Sequence, residues 1–159
     1  MQQSRSNTNS KQLIIDKYLP HNFLAEKIIL SSLLVSTEAI EITLRSVKIE
    51  TFYFKNHQEL YQSIIEMYSQ KIPIDIVTLN SFLQDNGRLN DIGGTQVLTE
   101  LINYVPNLLY LEDYIKLIHD KFLRRSLIKL GYEIINSAYV TNISLESILS
   151  DLEVDILVI

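Results

Sequence analysis

The chain has 159 residues, contains no Cys or Trp, and carries a formal net charge of −5 at pH 7. This length is typical of one domain with or without an appendage, and a hydrophobic content of 47% excludes a wholly disordered chain. The lack of Cys excludes disulfides and Cys-ligated zinc, and the lack of a long apolar run excludes a membrane-spanning helix.

The chain begins with a polar segment that we predict to be a disordered tail over residues 1–17, because its first twelve residues lack acids and apolar periodicity. A helical pattern follows. Asn22 is predicted to cap a first helix ending near Val35, and Thr37 to cap a shorter second helix that ends near Val47.

The middle of the chain is predicted to contain a packed connector over residues 49–54 and then a third helix. Asn56 and Glu59 have the spacing of a capping box, in which each side chain accepts a hydrogen bond from the other residue's backbone. This helix should end before Pro73, since the residue that precedes proline disfavours the helical region.

Two further short helices are predicted from their end signals. Asp75 is placed to cap the first of them, and Asn86-Gly87 to end it. Gly93-Gly94 is predicted to form a turn before the second helix, which Pro106 closes.

From Leu111 to about Val140 a single long helix is predicted, because helical periodicity continues without an intervening proline. Its apolar stripe changes face after Phe122, and the new ridge is rotated by roughly 100°. A helix that must bury two faces generally packs on two different bodies. The first face is held by Leu111, Ile115, Ile118 and Phe122, and the second by Leu123, Leu127, Leu130, Ile134 and Ala138.

Ser144 is predicted to cap a last helix that folds back on the long one as an αα-hairpin. The predicted fold class is therefore all-α, with about five short helices in a compact globule and a projecting long-helix hairpin. The predicted organisation is a tail over residues 1–17, a globular subdomain over 18–107 and a hairpin arm for oligomerisation over 108–159.

The apolar ridge of the hairpin admits two interpretations. It is either an intramolecular seam between the two helices or a surface that also receives a hairpin from a second subunit. Because soluble monomers seldom expose large apolar patches, we favour dimerisation through this arm. The predicted interface consists of Leu123, Leu127, Leu130, Ile134, Ile148, Leu149 and Leu152.

A basic stripe on the long helix is a candidate docking surface for an acidic partner. The simpler interpretation, a solvated face with local acidic neighbours, is favoured, and the acidic net charge argues against DNA binding by this chain alone. The stripe consists of Lys121, Arg124, Arg125 and Lys129.

No catalytic, cofactor or metal residue is predicted. The three histidines, His21, His57 and His119, are too scattered for a metal pair, and His21 and His57 are expected to cap or pack. The four glycines do not form the Walker A loop or the G-x-G-x-x-G motif that would bind a nucleotide phosphate.

Taken in order, the motifs resemble the N-terminal domain of DnaB-type replicative DNA helicases over roughly residues 18–157. Each motif is weak alone, but their order and spacing are specific. The matching residues are Leu19-Pro-His-Asn-Phe-Leu-Ala25-Glu26, Leu33-Leu34, Phe52-Tyr53, His57, Ile72-Pro-Ile-Asp75-Ile-Val-Thr78-Leu79, Gly87-Arg-Leu89, Gly93-Gly94, Leu98, Leu101, Val105-Pro106, Tyr114 and Lys121-Phe-Leu-Arg124-Arg125-Ser-Leu127-Ile128.

This resemblance implies an all-α collar domain whose hairpins pair between subunits to build a trimer of dimers, on which primase docks. In the family, a RecA-like motor domain binds ATP and Mg²⁺, contacts DNA and unwinds it. This chain is expected to be the collar domain alone, either a fragment or the product of a split gene, and non-catalytic by itself.

Two alternative functions remain at this point: a helical adaptor unrelated to replication, and a small enzyme with an unrecognised site. The abundance of Ile, Asn, Lys and Tyr is typical of AT-rich genomes. We therefore predict a location in the plastid stroma, with a bacterial cytoplasm as the alternative.

Overall fold

The computed structural model describes residues 19–104 and 106–159, and within them it contains seven α-helices, two short 3₁₀ helices and no strand. The all-α prediction is confirmed, while the predicted tail over residues 1–17 lies outside the described residues. The helices are α1 (Phe23–Leu33), α2 (Thr37–Ser46), α3 (Lys55–Ser69), α4 (Ile76–Asp85), α5 (Thr95–Ile102), α6 (Leu111–Ala138) and α7 (Leu145–Val158), with 3₁₀ helices at Ile49–Thr51 and Leu108–Tyr110.

The chain divides into two compact units, one formed by His21–Phe122 and the other by Leu123–Ile159 together with residues 19–20. The division falls within α6, between Phe122 and Leu123, where the sequence predicts that the apolar stripe changes face. The domain boundary between residues 107 and 108 stays a prediction.

Helix α1 is the centre of the first unit and packs against α2, α3 and α5. Eight of its eleven residues are buried. Two of the buried residues are serines, and both satisfy their hydroxyl groups: Ser32 donates to the carbonyl of Ile28 (2.8 Å), and Ser31 donates to the carbonyl of Leu101 on α5 (3.0 Å). Burial on all sides explains why α1 has only a weak amphipathic pattern.

Most predicted helix starts are confirmed. Asn22 Oδ1 accepts the N–H of Ala25 (2.9 Å), and Asp75 forms a reciprocal capping box with Thr78 at the start of α4. The cap of α2 is Ser36 rather than the predicted Thr37, because Thr37 already has helical backbone geometry and is the first residue of the helix. Ser144 caps α7, as predicted.

The predicted capping box at Asn56 and Glu59 is wrong. Helix α3 already begins at Lys55, so Asn56 lies inside its first turn. The residue at the cap position is Phe54, whose side chain cannot accept a hydrogen bond. Within this turn the N–H of His57 donates to Asn56 Oδ1 (3.0 Å), whereas the N–H of Phe54 at the cap position needs an acceptor from elsewhere in the fold.

Gly93 is required by the turn before α5. Its φ of +98° lies in the left-handed region, and a Cβ added at this position would stand 2.9 Å from Cγ2 of Val97. The prediction of a glycine turn between α4 and α5 is confirmed, and any side chain at Gly93 would strain both the backbone and the packing of α5.

The connector between α2 and α3 is packed into the core, as predicted. Phe52 is fully buried, and its ring lies 4.9 Å from that of Tyr61 on α3. The Tyr61 hydroxyl donates to the carbonyl of Val47 (2.9 Å). Burial raises the pKa of Tyr61 from 10.0 to about 12, because the interior disfavours the charged phenolate.

Replacing Tyr61 by Phe should lower the free energy of unfolding by about 1 kcal/mol at neutral pH, since the Val47 carbonyl loses its donor. Because the pKa of Tyr61 is higher in the folded chain than in the unfolded chain, folding favours the neutral phenol. The folded state keeps its full stability below pH 10 and loses the contribution of Tyr61 as the pH rises towards 12. Urea unfolding between pH 8.5 and 11 should therefore show a smaller loss of stability in Tyr61→Phe than in the wild type. Tyr139→Phe, at an exposed position, is the control, and identical pH dependence in all three proteins would contradict the assignment.

Candidate functional site

A buried carboxylate–imidazole pair joins α1 to α3. Glu26 Oε2 lies 2.7 Å from Nδ1 of His57, and both residues are almost completely buried. The same carboxylate accepts the backbone N–H of Tyr53 (2.7 Å) and that of Phe54 (3.5 Å). Glu26 thus supplies, from another helix, the acceptor for the two N–H groups that immediately precede α3, where Phe54 cannot act as a side-chain cap.

Aromatic rings enclose the pair. The His57 ring lies 5.2 Å from that of Phe23 and 5.3 Å from that of Phe54. His21 stacks on Tyr53 at 4.7 Å with the rings almost parallel. The predicted packing roles of His21 and His57 are confirmed, and the enclosed pair has no open face from which it could exchange a proton with a substrate.

Sequence reasoning missed this pair. The only indication in the sequence is that Glu26 is an acidic residue among apolar ones in a helix. The structure shows that this helix is surrounded by the rest of the first unit. Within residues 19–104 and 106–159, no group of three His, Asp or Glu side chains could hold a metal ion. The Glu26–His57 pair, which is buried and joins α1 to the start of α3 by hydrogen bonds, is a structural element of the first unit.

Removing the Glu26 carboxylate should destabilise the first unit strongly. In Glu26→Ala, one imidazole and two backbone N–H groups lose their buried acceptor, so the free energy of unfolding should fall by about 3 kcal/mol. The loss should be smaller in Glu26→Gln, which keeps one acceptor oxygen. Urea unfolding monitored by circular dichroism measures both.

The matched control is Glu41→Ala on the exposed surface of α2, which should change stability by less than about 0.5 kcal/mol. Equal midpoints for Glu26→Ala and Glu41→Ala would contradict a capping role for Glu26.

A cleft with a volume of about 650 Å³ lies between the α1–α2 turn and the end of α3 in the first unit. Lys71 is the only charged residue among those that line it, and Tyr68 and Ser36 contribute hydroxyl groups. General acid–base chemistry generally uses one side chain that donates a proton and one that accepts it. Among the residues that line this cleft, no acidic side chain or histidine accompanies Lys71.

The second unit contains the predicted arm interface, and its ridge is unevenly covered. On α6, Leu130 is buried and Leu123 is half-buried, but Leu127 is 57% exposed and Ile134 is 37% exposed. The ridge residues on α7 also differ in exposure: Ile148 and Leu152 are half-buried, and Leu149 is 53% exposed. The role of these seven residues in self-association stays a prediction.

Exposed apolar side chains also occur away from that ridge. Examples are Ile135 and Tyr139 on and just after α6, and Val154 and Leu157 on α7. A helix with apolar residues on more than one side is typical of a helix that more than one neighbour covers. The second unit therefore exposes apolar side chains on more than one side of its helices.

The basic stripe makes several local contacts. Lys121 lies 3.8 Å from Asp120, and Lys129 lies 3.7 Å from Glu133 one turn further along α6. Arg125 donates to the carbonyl of Pro20 (2.8 Å). Asp120 and Glu133 are the local acidic neighbours of the stripe, whereas partly buried Arg125 bonds to the backbone of Pro20. The use of Lys121, Arg124, Arg125 and Lys129 for docking a partner stays a prediction.

The fold and the arm define the class: an all-α domain that carries a helical segment with uncovered apolar surface. Residues 18–120 match the family described as the DnaB-like helicase N terminal domain. The chain belongs to this family, and the resemblance found in its motifs is confirmed.

Several relatives are replicative helicases. The chain is 65% identical to a "Probable replicative DNA helicase" of Trieres chinensis over 92% of its own length, and 33% identical to "Replicative DNA helicase DnaB" of Synechocystis over 84%. These matches cover 32% and 15% of the two relatives, so the chain spans about a third or less of their length.

Solved structures agree with the fold. The N-terminal domain of DnaB helicase from Mycobacterium tuberculosis matches 89% of this chain over its full length, with a TM-score of 0.81 and 27% identity. A DnaB-like replicative helicase, whose structure was described together with its interactions with primase, matches 84% of this chain over 31% of its own, with a TM-score of 0.66 and 22% identity. No helix in residues 19–104 and 106–159 is both long and apolar enough to cross a bilayer.

Proposed function

We propose that this chain is the collar domain of a replicative DNA helicase, which assembles subunits into a hexamer built as a trimer of dimers and docks primase. The observation that carries the proposal is the uncovered apolar surface of the arm, together with membership of the DnaB-like N-terminal family. Membership of this family also argues against an adaptor that is unrelated to replication.

In this proposal the chain itself is non-catalytic. ATP and Mg²⁺ act in the RecA-like motor domain that belongs to the full-length helicase, and the complex contacts and unwinds DNA through that domain. This proposal is supported by the Trieres and Synechocystis relatives, which are longer than this chain and are described as a probable replicative DNA helicase and as a replicative DNA helicase.

Primase is the proposed partner of the assembled collar. The support is family membership and the similarity to a DnaB-like replicative helicase whose structure was described with its interactions with primase. The basic stripe at Lys121, Arg124, Arg125 and Lys129 is a candidate contact surface for it.

The proposed location is the plastid stroma, with a bacterial cytoplasm as the alternative. The 65% identity to the protein of the alga Trieres chinensis favours the first location, and the similarity to bacterial helicases supports the second.

Charged substitution of an exposed arm residue should dissociate the dimer without unfolding the chain. Leu127 is 57% exposed, so Leu127→Asp costs little in the monomer but places a charge in the proposed interface. Sedimentation equilibrium at micromolar concentration should show a dimer or larger species for the wild type and a monomer for the variant, with unchanged helical circular dichroism. Val77→Asp on the exposed side of α4 is the control, and a monomeric wild type would contradict the proposal.

Primase encoded by the same genome should bind the wild-type chain in isothermal titration calorimetry. Because the proposed docking surface is the assembled collar, Leu127→Asp should bind about tenfold or more weakly, a loss of about 1.4 kcal/mol. Val77→Asp should bind like the wild type. Equal binding by all three proteins would contradict docking on the assembled form, and no binding by the wild type would contradict primase as the partner.

A further inference from the structure

An open cleft in the first unit has no part in the proposed collar function. It lies between the α1–α2 turn and the end of α3, and its volume of about 650 Å³ is typical of a ligand-binding site. Most of the residues that line it are apolar, and two lining residues stay accessible, with Val35 63% and Tyr68 37% exposed. Small-molecule sites enclose most of their ligand, so a cleft with exposed walls is better suited to a peptide segment that lies across it.

Lys71, the charged residue of this cleft, has an unfavourable backbone conformation. Its φ of +57° lies in the left-handed region, and no other non-glycine residue of the described ranges 19–104 and 106–159 has a positive φ. Lys71 closes the end of α3 as a Schellman motif: its N–H donates to the carbonyl of Tyr68 (3.1 Å), and that of Ile72 donates to the carbonyl of Met67 (2.9 Å). Glycine is the residue that this position favours, because it has no Cβ.

Helix α4 closes in the same way, but with glycine at the equivalent position. The N–H of Gly87, whose φ is +69°, donates to the carbonyl of Gln84 (3.1 Å). The N–H of Arg88 donates to the carbonyl of Leu83 (2.8 Å). The helix dipole does not explain the lysine of α3, since a lysine in the last turn would interact with the dipole without left-handed backbone, and that turn has no basic residue.

Two groups along the cleft have no partner in the described part of the chain. The ammonium of Lys71 forms no ion pair there, and the backbone N–H and carbonyl of Ile74 form no hydrogen bond there. Pro73 fixes its own φ and disfavours helical backbone at Ile72, so this wall of the cleft is extended. An extended wall with unpaired backbone groups is the kind of surface along which a second extended segment pairs.

We propose that this cleft binds an extended apolar segment of a partner protein and that a carboxylate of the segment pairs with the Lys71 ammonium. The apolar side chains of the segment pack on Ile72 and Ile74, and its backbone bonds to that of Ile74. The site lies within the first unit, so its occupation does not depend on assembly through the arm.

The test begins with a random heptapeptide library displayed on phage and selected against the full chain. The enriched sequences should contain Asp or Glu flanked by apolar residues. An enriched peptide is then synthesised with a fluorophore, together with a version in which the matching amide residue replaces the acidic one. Fluorescence anisotropy measures the dissociation constants of both peptides.

Lys71→Gly should bind the acidic peptide at least about tenfold more weakly than the wild type, because the carboxylate loses its cation. Its urea midpoint should not fall, since glycine removes the left-handed strain, and weaker binding then cannot result from misfolding. The wild type should bind the amide peptide about tenfold more weakly than the acidic one, whereas Lys71→Gly should bind both equally. Lys55→Ala, at the exposed start of α3, removes the same charge and should bind like the wild type.

Three results would overturn the proposal: a selection that enriches no peptide, enriched peptides without an acidic residue, and equal binding of the acidic peptide by Lys71→Gly and the wild type. Leu127→Asp should bind the acidic peptide like the wild type, and a loss in this variant would place the peptide on the arm instead. A wild type that is monomeric but still binds the peptide through Lys71 would contradict only the proposed self-association.

Discussion

The first unit depends on one carboxylate. Glu26 enters the core on α1 and accepts three hydrogen bonds, one from the His57 imidazole and two from the backbone at the start of α3. A buried charge is tolerated only when its hydrogen-bonding capacity is used. The contact fixes where α3 begins relative to α1, and the rings of Phe23 and Phe54 close over it.

The sequence was sufficient for the elements whose end signals are local. Asp75 and Thr78 form their capping box within four residues. Gly93 has a positive φ, which glycine adopts readily, so the turn at this position was predictable from the residue type, as was the cap at Asp75. The start of α3 was not predictable, because its acceptor comes from Glu26, 27 residues before Tyr53. Asn56 and Glu59 have the spacing of a local capping box, but the helix begins one residue earlier than that box requires, at Lys55.

The arm shows a different limit. The change of apolar face after Phe122 was readable from periodicity, and the division into two compact units falls at the same point of α6. Which ridge residues are covered was not readable: Leu130 is buried and Leu127 is exposed, although they share a face by sequence. Helical spacing identifies a face, whereas burial depends on what stands opposite each residue.

The position of α1 has a consequence for how the first unit opens. Helix α1 contacts three other helices and eight of its eleven residues are buried, so the amide hydrogens of its buried turns should exchange only when the whole unit unfolds. In a single chain, helix α7 has exposed residues on every side, so its amide hydrogens should exchange through local fraying instead. Hydrogen exchange in α1 thus measures the global stability of the first unit.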